Sequence, residues 1–466
     1  MNKQKLHILF ITGLAAGFFL GGIEEAGYGM MQLLGWRMSR HTAFALTGHF
    51  INPGPFGGFI ACVMAMAGAW LLRTPFLPNR VRKGSRLLAW VMLVAGVLVL
   101  PASESRTGWL ALGIAIAAEL LLRPRVRLWI LHHWKWLPVG IGGIVALLVG
   151  AFLLKPDSAI GRLHIWRIEC QAIAERPLMG AGPGMCAWAY GEAQESFFRT
   201  HLASASPTVV RVAGCPEFAF NEFLGIGVEY GLPGILLAII LIIAAIAVLY
   251  RVRSPFAAGL TAWAVFACAS YPLSERPLRI LGIALVLTAV VEGVINHRRL
   301  RFAGLLPLIA AALLAGWIGF RGVPGKTDRH EHEILYRQGY VLHQEGRYAE
   351  STEVLARGAL LSSDPMFEII MGKNAEALGD DDKAEMLYEK AHYMVPGRLY
   401  PMVRLMRLQI RQGRDGDALK TARSIAAMPV NDRHEGMKQL KKETMKALDS
   451  LNKATTIYPG ERMTVR

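Results

Sequence analysis

Charged residues are scarce in this chain of 466 residues: they make up 18% of it, while hydrophobic residues make up 53%. Soluble domains carry about 25% charged residues, so this composition excludes a single uniform globular protein. The five cysteines show no spacing typical of a disulfide framework or a zinc site. There is also no dense basic arm, which makes nucleic acid a weak choice of partner despite the formal net charge of +16.

The charges are divided unevenly along the chain. From Arg321 onward there are 24 basic and 21 acidic residues, which leaves a net charge of +13 for the apolar part before it. A basic excess in an apolar part is typical of membrane proteins, in which it marks cytoplasmic loops and sites for anionic lipid headgroups. We therefore predict an all-α protein with a polytopic membrane helix bundle over residues 1–320, a linker at 321–332 and a soluble helical tail.

Nine apolar runs predict transmembrane helices, since a bilayer core needs about 20 apolar residues per helix. They cover residues 6–22, 55–72, 87–101, 108–122, 137–154, 223–249, 256–271, 279–295 and 302–320. When these runs are threaded in order, the Lys and Arg clusters that follow alternate runs all fall on the side of Lys3 and Lys5. The positive-inside rule then places the N-terminus in the cytoplasm, and the loop at 155–222 and the tail outside.

Small residues recur at a fixed interval in the tail. Gly346, Gly379 and Gly413 are 33 and 34 residues apart, which is the period of tetratricopeptide repeats, where small residues let paired helices approach closely. We predict such repeats over 333–430, forming an α-helical solenoid, and a capping helix and tail over 431–466. An array of this kind either binds a protein partner or serves as a passive assembly element, and it supplies no chemistry.

Four polar or glycine-rich stretches touch the predicted outer face, at residues 48–58, 103–111, 161–184 and 218–234. In the first, clustered Gly and Pro around Asn52 interrupt the entry into a span, and broken backbone at membrane depth is tolerated where it lines a cavity. We therefore expect Asn52 to bind substrate. The glycine-rich run of the third stretch lacks the strand, Lys and Ser/Thr of a phosphate-binding loop, which argues against ATP.

The motifs in these stretches resemble one known family. They read Ser-Arg-Thr-Gly-Trp-Leu-Ala at 105–111, Arg-x-x-x-Trp at 162–166 followed by Pro-Leu-x-Gly-x-Gly, and Asn-Glu-Phe-Leu at 221–224 before Glu-Tyr-Gly-Leu-Pro-Gly. In this order they resemble the O-antigen ligase and polymerase family over about residues 40–295. The resemblance implies a membrane glycosyltransferase that uses an undecaprenyl diphosphate-linked glycan on the outer face of the bacterial inner membrane, without a metal or a cofactor.

The resemblance also implies roles for individual residues. Arg106 and Arg162 match the family's arginines and are assigned to the diphosphate, with Arg167 as a helper, because guanidinium forks match phosphate oxygens bidentately. Asn221 and Glu222 match the acidic-polar pair that begins the following span.

One position departs from the family pattern. Where ligases of this family place a histidine just before Asn-Glu, this chain has Phe220, which cannot take a proton from an acceptor hydroxyl. Glu222 is the first candidate for the general base, followed by His164 and then His201.

The sequence thus predicts transfer of a glycan to a hydroxyl of a lipid A core or of a protein, in the biosynthesis of lipopolysaccharide or a related polysaccharide. The predicted partners are the lipid-linked donor, the acceptor, membrane lipids and a protein on the repeat domain. The alternatives are a polymerase of polysaccharide repeat units, or a non-catalytic transporter or scaffold that uses the repeats for docking.

Overall fold

A computed structural model of the chain describes residues 3–74, 77–136, 138–140, 142–143, 150, 156–296, 331–428 and 435–457. Within these ranges every regular element is a helix, which confirms the predicted all-α class. The chain divides into two compact units, Met1–Leu154 with Ala219–Lys326, and Lys155–Phe218 with Thr327–Arg466. The second unit therefore combines the predicted outer loop with the C-terminal tail.

The helices are numbered along the chain. Those before and within the loop are α1 (Lys3–Leu33), α2 (Pro53–Arg73), α3 (Asn79–Val99), α4 (Arg106–Leu121), α5 (Pro124–His132), α6 (Pro156–Glu175), α7 (Cys186–His201) and α8 (Pro207–Val212). Those after the loop are α9 (Glu222–Arg251), α10 (Phe256–Ala267), α11 (Arg276–Asn296), α12 (Glu331–Gln344), α13 (Tyr348–Ala359), α14 (Met366–Ala377), α15 (Asp381–Met394), α16 (Leu399–Arg411), α17 (Asp415–Ala427) and α18 (Glu435–Ile457).

Four helices of the first unit are long and apolar enough to cross a membrane: α1 from His7 to Leu33, α2, α9, and α11 from Arg276 to Val294. They cover four of the predicted runs. Helices α3, α4 and α10 overlap three more, but α4 and α10 have only 16 and 12 residues, and α3 begins with a strongly basic segment. Their membrane crossing stays a prediction. The runs at 137–154 and 302–320 and the linker at 321–332 lie largely outside the described residues.

Helix α1 is longer than predicted, because it continues past the end of its apolar run at residue 22 to Leu33. The polar side chains of this extension have partners in the segment that follows. The side-chain oxygen of Gln32 accepts hydrogen bonds from the backbone N–H groups of Thr47 at 3.0 Å and Gly48 at 2.8 Å. The adjoining loop thus provides hydrogen-bond partners for the polar side chain of Gln32, which allows α1 to continue beyond its apolar run.

Glycine lets the first turns of α2 and α4 approach closely. A Cβ atom on Gly57 would lie 2.3 Å from Cβ of Ser105, and one on Gly108 would lie 2.8 Å from the carbonyl oxygen of Gly57. Any larger residue at either position would push the two helices apart. Gly57 and the glycine of the Ser-Arg-Thr-Gly motif are thus needed for this contact, whereas a Cβ atom on Gly58 would meet the ring of Phe266 on α10 at 2.4 Å.

Helix α9 is broken near its start. Gly231 has φ 70° and ψ −170°, which is not helical, and Pro233 follows it. Only glycine adopts this conformation at little cost. The break at Gly231 therefore separates the first nine residues of the helix, 222–230, which include Glu222, from its long apolar part.

In the second unit, α12 to α17 are joined in pairs by turns at Gly346, Gly379 and Gly413, with φ of 78°, 79° and 72°. The predicted reason for these glycines was wrong: a Cβ atom on any of them would meet nothing within 4 Å. They are required because the left-handed turn that ends each helix disfavours other residues. The assignment of this region to tetratricopeptide repeats stays a prediction.

Candidate functional site

Helices α2, α4 and α9 begin at the same end of the first unit. The hydroxyl of Ser105, the N-cap of α4, donates to the carbonyl oxygen of Gly54 at 3.0 Å. The side-chain amide of Asn52 donates to the hydroxyl of Tyr271 at 3.1 Å. The Tyr271 ring in turn packs edge-on against Phe220, with 5.3 Å between ring centroids. We call this region, residues 47–54, 103–106, 220–222 and 271–275, the Asn52 end.

The same three helices finish together at the opposite end. There Arg73 pairs with Glu119 at 2.8 Å and donates to the carbonyl oxygen of Ser254 at 3.0 Å. Its guanidinium also lies 5.1 Å from the centroid of the Tyr250 ring. The basic residues that follow α2 and α9 are thus separated from the Asn52 end by the length of the helices, as the threading predicts. Which end faces which compartment stays a prediction.

Arg106 is the first residue of α4 and is half-buried at the Asn52 end. The hydroxyl of Ser105 accepts from the backbone N–H of Gly108 at 3.3 Å, which caps the helix. A helix N-terminus attracts anions through its unpaired N–H groups and its dipole, and the guanidinium adds a full positive charge. The start of α4 is therefore suited to bind an anionic group.

Asn221 and Glu222 both have structural partners at the start of α9. The side-chain oxygen of Asn221 accepts from the N–H groups of Phe223 at 3.0 Å and Leu224 at 3.2 Å, as an N-cap does. Glu222 is 5% exposed, and its Oε1 accepts from the backbone N–H of Leu273 at 2.7 Å. Glu222 thus joins α9 to the turn between α10 and α11.

Phe220 fills the position that the family resemblance assigns to a histidine. Its φ of 51° is left-handed, which is unusual for an aromatic residue. Its ring contacts Tyr271, whose hydroxyl is bonded to Asn52. An apolar ring therefore replaces a titratable one among the polar groups of the Asn52 end.

A hydrogen-bonded carboxylate and imidazole pair also lies at this end. Oε2 of Glu25, on α1, is 2.7 Å from Nδ1 of His49, and Oε1 of Glu25 accepts from the backbone N–H of His49, also at 2.7 Å. The His49 ring stacks on Tyr28 with 3.9 Å between centroids. The Glu25 side chain is 8% exposed, and that of His49 is 39% exposed. The pair is rigid but open on one side.

Glu24, Glu25 and His49 are the one group in the described residues with three side chains of metal-ligand type close together. The 2.7 Å separation of His49 Nδ1 from Oε2 of Glu25 is a normal hydrogen-bond distance. Glu24 is 3.8 Å from the ring, with 67% of its side chain exposed.

In the second unit, Arg162, His164 and Arg167 lie on α6. His164 is 4% exposed, and its Nε2 is 2.9 Å from the side-chain oxygen of Gln194 on α7. Burial lowers the pKa of His164. The guanidinium of Arg167 lies 4.7 Å from the centroid of the Phe197 ring, also on α7. His164 therefore holds α6 against α7, while Arg162 is half-buried and Arg167 is exposed.

Gln194 connects these loop helices to the tail. Its amide nitrogen donates to the carbonyl oxygens of Gly214 and Met394, and its oxygen accepts from the Tyr190 hydroxyl as well as bonding His164. All of its hydrogen-bonding capacity is thus used in the interior. On the adjoining surface, Lys390 of α15 pairs with Glu192 of α7 at 2.7 Å and with Glu368 of α14 at 3.0 Å.

The structure brings four of the predicted site residues, Asn52, Arg106, Asn221 and Glu222, to one end of the first unit. The other three lie on one helix of the second unit. Sequence reasoning missed Glu25, His49, Tyr271 and Gln194 as participants. His49 lies inside the glycine-rich stretch that the sequence singles out, but its partner is 24 residues away, in the part of α1 beyond the predicted span 6–22, so no spacing rule would have found the pair.

The four apolar helices suggest a membrane protein, and polar side chains gather where α2, α4 and α9 begin. Residues 87–239, a third of the chain, match the family model of the O-antigen ligase domain. The matched range includes Arg106, α6 and the start of α9. This match supports the O-antigen ligase family and suggests glycosyl transfer in a membrane as the function. No curated protein matches the chain significantly.

Proposed function

We propose that this protein is a glycosyltransferase that moves a glycan from a polyprenyl diphosphate carrier to an acceptor hydroxyl at the periplasmic face of the bacterial inner membrane. One observation supports this most: Arg106 lies at a helix N-terminus in the Asn52 end, next to the hydroxyl of Ser105 and in the same region as the side-chain amide of Asn52. At this position, the guanidinium of Arg106 and the positive end of the α4 dipole would both bind a diphosphate. Arg106 also lies within residues 87–239, the range that matches the ligase model.

The chemistry requires charge stabilisation on the leaving group. When the bond from the anomeric carbon to the diphosphate breaks, the diphosphate oxygens gain negative charge. A fixed cationic donor stabilises that charge in the transition state, typically by about 3 to 4 kcal/mol for one donor. Arg106 has this role in the proposal, and Arg162 and Arg167 bind the diphosphate as well, as the family resemblance implies. The proposed mechanism uses no metal.

The tail has a structural part in the proposal. Gln194 and Lys390 bond the loop helix α7 to α14 and α15, so we propose that the tetratricopeptide-like tail holds the arginine-bearing loop in place. Its remaining surface is available for a partner protein. The acceptor is a lipid A core saccharide or a protein.

Transfer assays with the purified full-length chain test this proposal. The donor is the lipid-linked glycan extracted from the expressing cells, and envelope lipid and protein fractions serve as acceptors. Arg106→Ala and Arg162→Ala should each lower the transfer rate by about 10²- to 10³-fold, since each removes one charged donor. Arg125→Ala is the control, because Arg125 is exposed on α5. Activity should persist in EDTA.

The products separate the variants of the function. A single glycan added to lipid indicates a ligase, a modified protein indicates a protein glycosyltransferase, and a ladder of repeats indicates a polymerase. Full activity in both arginine variants would refute the site. If the wild-type chain transfers nothing to any fraction, the scaffold or transporter alternative replaces the proposal.

A further inference from the structure

We infer that His49, held by Glu25, is the general base that takes the proton from the acceptor hydroxyl. This inference rests on the proposed function and names a catalytic residue for it. The reaction needs a proton acceptor, and the position at which the family has a histidine is occupied by Phe220. The His49–Glu25 pair supplies an imidazole from another part of the chain.

The hydrogen bonds of the pair determine which ring nitrogen is available. Glu25 faces Nδ1 at 2.7 Å, so in the neutral ring Nδ1 carries the proton and Nε2 has the free lone pair. Within the described part of the chain, Nε2 has no hydrogen-bond partner. The carboxylate also stabilises the imidazolium that forms when Nε2 accepts a proton, as an orienting carboxylate does in other general-base pairs.

The backbone around His49 is rigidly placed. Its N–H donates to Glu25, and its carbonyl oxygen accepts from the guanidinium of Arg40 at 2.6 Å. The preceding Gly48 has φ 58°, and a Cβ atom there would lie 2.1 Å from Oε1 of Glu25. Glycine at this position is therefore required for the carboxylate to reach the His49 backbone.

His49 lies close to the other polar groups of the Asn52 end. It precedes Asn52 by three residues, a stretch that spans at most about 11 Å. Asn52 is bonded to Tyr271, and Tyr271 contacts Phe220. The Asn52 end, which has Phe220 at the position where the family resemblance expects a histidine, thus has a histidine in the adjoining loop.

Each of the other candidates either uses an acceptor atom in a structural contact or has no orienting carboxylate among its hydrogen-bond partners in the described residues. Oε1 of Glu222 accepts from a backbone N–H at 2.7 Å, and the side chain is buried. Nε2 of His164 is bonded to Gln194 in the interior. The ring of His201 stacks on Phe197, and its Nδ1 is 3.1 Å from the carbonyl oxygen of the same residue. His49 is the candidate that combines an orienting carboxylate with a partly exposed ring.

In the proposed step, glycosyl transfer is coupled to proton transfer from the acceptor to His49. The acceptor oxygen forms a bond to the anomeric carbon while its proton passes to Nε2 of His49. The bond between the anomeric carbon and the diphosphate oxygen breaks, and its electron pair leaves with the diphosphate, whose added charge Arg106 stabilises. The imidazolium then loses its proton to water.

The test uses the full-length chain in the transfer assay described above, with the rate and the KM for the donor measured separately. His49→Asn retains an N–H donor for Glu25 but has no basic nitrogen, so we expect kcat to fall by about 10²- to 10⁴-fold with an unchanged donor KM. The kcat of His49→Ala should fall by as much, and added imidazole should raise the kcat of this variant at least tenfold. Imidazole should not affect the wild type. His41→Ala, in the same loop, is the matched control and should stay within twofold.

Three outcomes would overturn the inference while the proposed function stands: His49→Asn within threefold of the wild-type kcat, a loss that appears only in the donor KM, or His49→Ala that imidazole does not restore. If His49→Ala fails to fold, the kcat of His49→Asn decides. Failure of the proposed function is distinct, because then the wild-type chain itself transfers nothing.

Discussion

One ion pair from each unit shows how burial changes what a charge contributes. In the first unit, Arg73 and Glu119 pair with only 13% and 8% of their side chains exposed, and Glu25 is equally buried beside His49. In the second unit, pairs such as Arg407 and Glu443 leave 50% and 45% of their side chains exposed. Charges in an apolar bundle are costly and need a partner, whereas charges in water do not. The Arg73–Glu119 pair should therefore affect stability more than an exposed pair such as Arg407–Glu443.

The largest predicted effect tests this difference directly. Arg73→Met leaves Glu119 buried without its cation, which should lower the free energy of unfolding by about 3 to 5 kcal/mol. SDS titration of the purified chain in mixed micelles, followed by circular dichroism, measures the loss. Arg407→Ala is the matched control in the second unit and should change stability by only about 0 to 1 kcal/mol. Equal losses in both variants would remove the contrast between the units.

A buried histidine in the second unit predicts a pH dependence. His392 is 5% exposed, its Nδ1 has no hydrogen-bond partner in the described residues, and burial lowers its pKa from 6.5 to about 4. Between these values the unfolded chain binds a proton that the folded chain does not, so stability decreases as the pH falls from 6.5 towards 4. The loss from this group should reach about 3 kcal/mol.

Urea unfolding of the full chain in micelles at pH 7 and pH 4.5 measures this dependence. His392→Leu removes the group, so the variant should lose less stability between the two pH values than the wild type does. Carboxylates titrate in both chains and cancel in the comparison. An identical pH dependence in the two chains would show that His392 does not titrate as inferred.

The smallest predicted effect concerns the link between the loop and the tail. Gln194→Leu leaves the Tyr190 hydroxyl and the His164 ring N–H buried without an acceptor, which should cost about 2 kcal/mol. Hydrogen exchange should then increase in α7 and α15, the helices that Gln194 joins. Gln171→Leu is the control, since Gln171 lies on the neighbouring surface of α6 and its main partner is Glu175. Unchanged protection in both helices would argue against the proposed link.

Much of the helical framework could be predicted, because helix formation depends on local pattern. The apolar runs at 55–72 and 223–249 correspond closely to α2 and α9. The end of α1 could not be predicted, since it depends on bonds from Gln32 to a loop 15 residues away. The role of Gly346 was also misjudged, because spacing shows that a small residue recurs but not whether packing or backbone conformation requires it.

The candidate site was predicted in part. Motifs pointed to Arg106 and Asn221, since such residues are recognised by their neighbours in the chain. The structural contacts of Glu222 and His164 could not be predicted, because their partners, Leu273 and Gln194, are 51 and 30 residues away in the sequence. The pairing of Glu25 with His49 was missed for the same reason.

Composition and local pattern alone were enough to determine an apolar helical chain with a charged tail, because hydrophobicity and helix periodicity are properties of neighbouring residues. Only the tertiary structure decided which polar residues meet. Helices α2, α4 and α9 start at one end of the bundle, so Asn52, Arg106 and Asn221 gather there, and the loop after α1 folds back to place His49 against Glu25. These contacts depend on packing between distant segments, which no local pattern encodes.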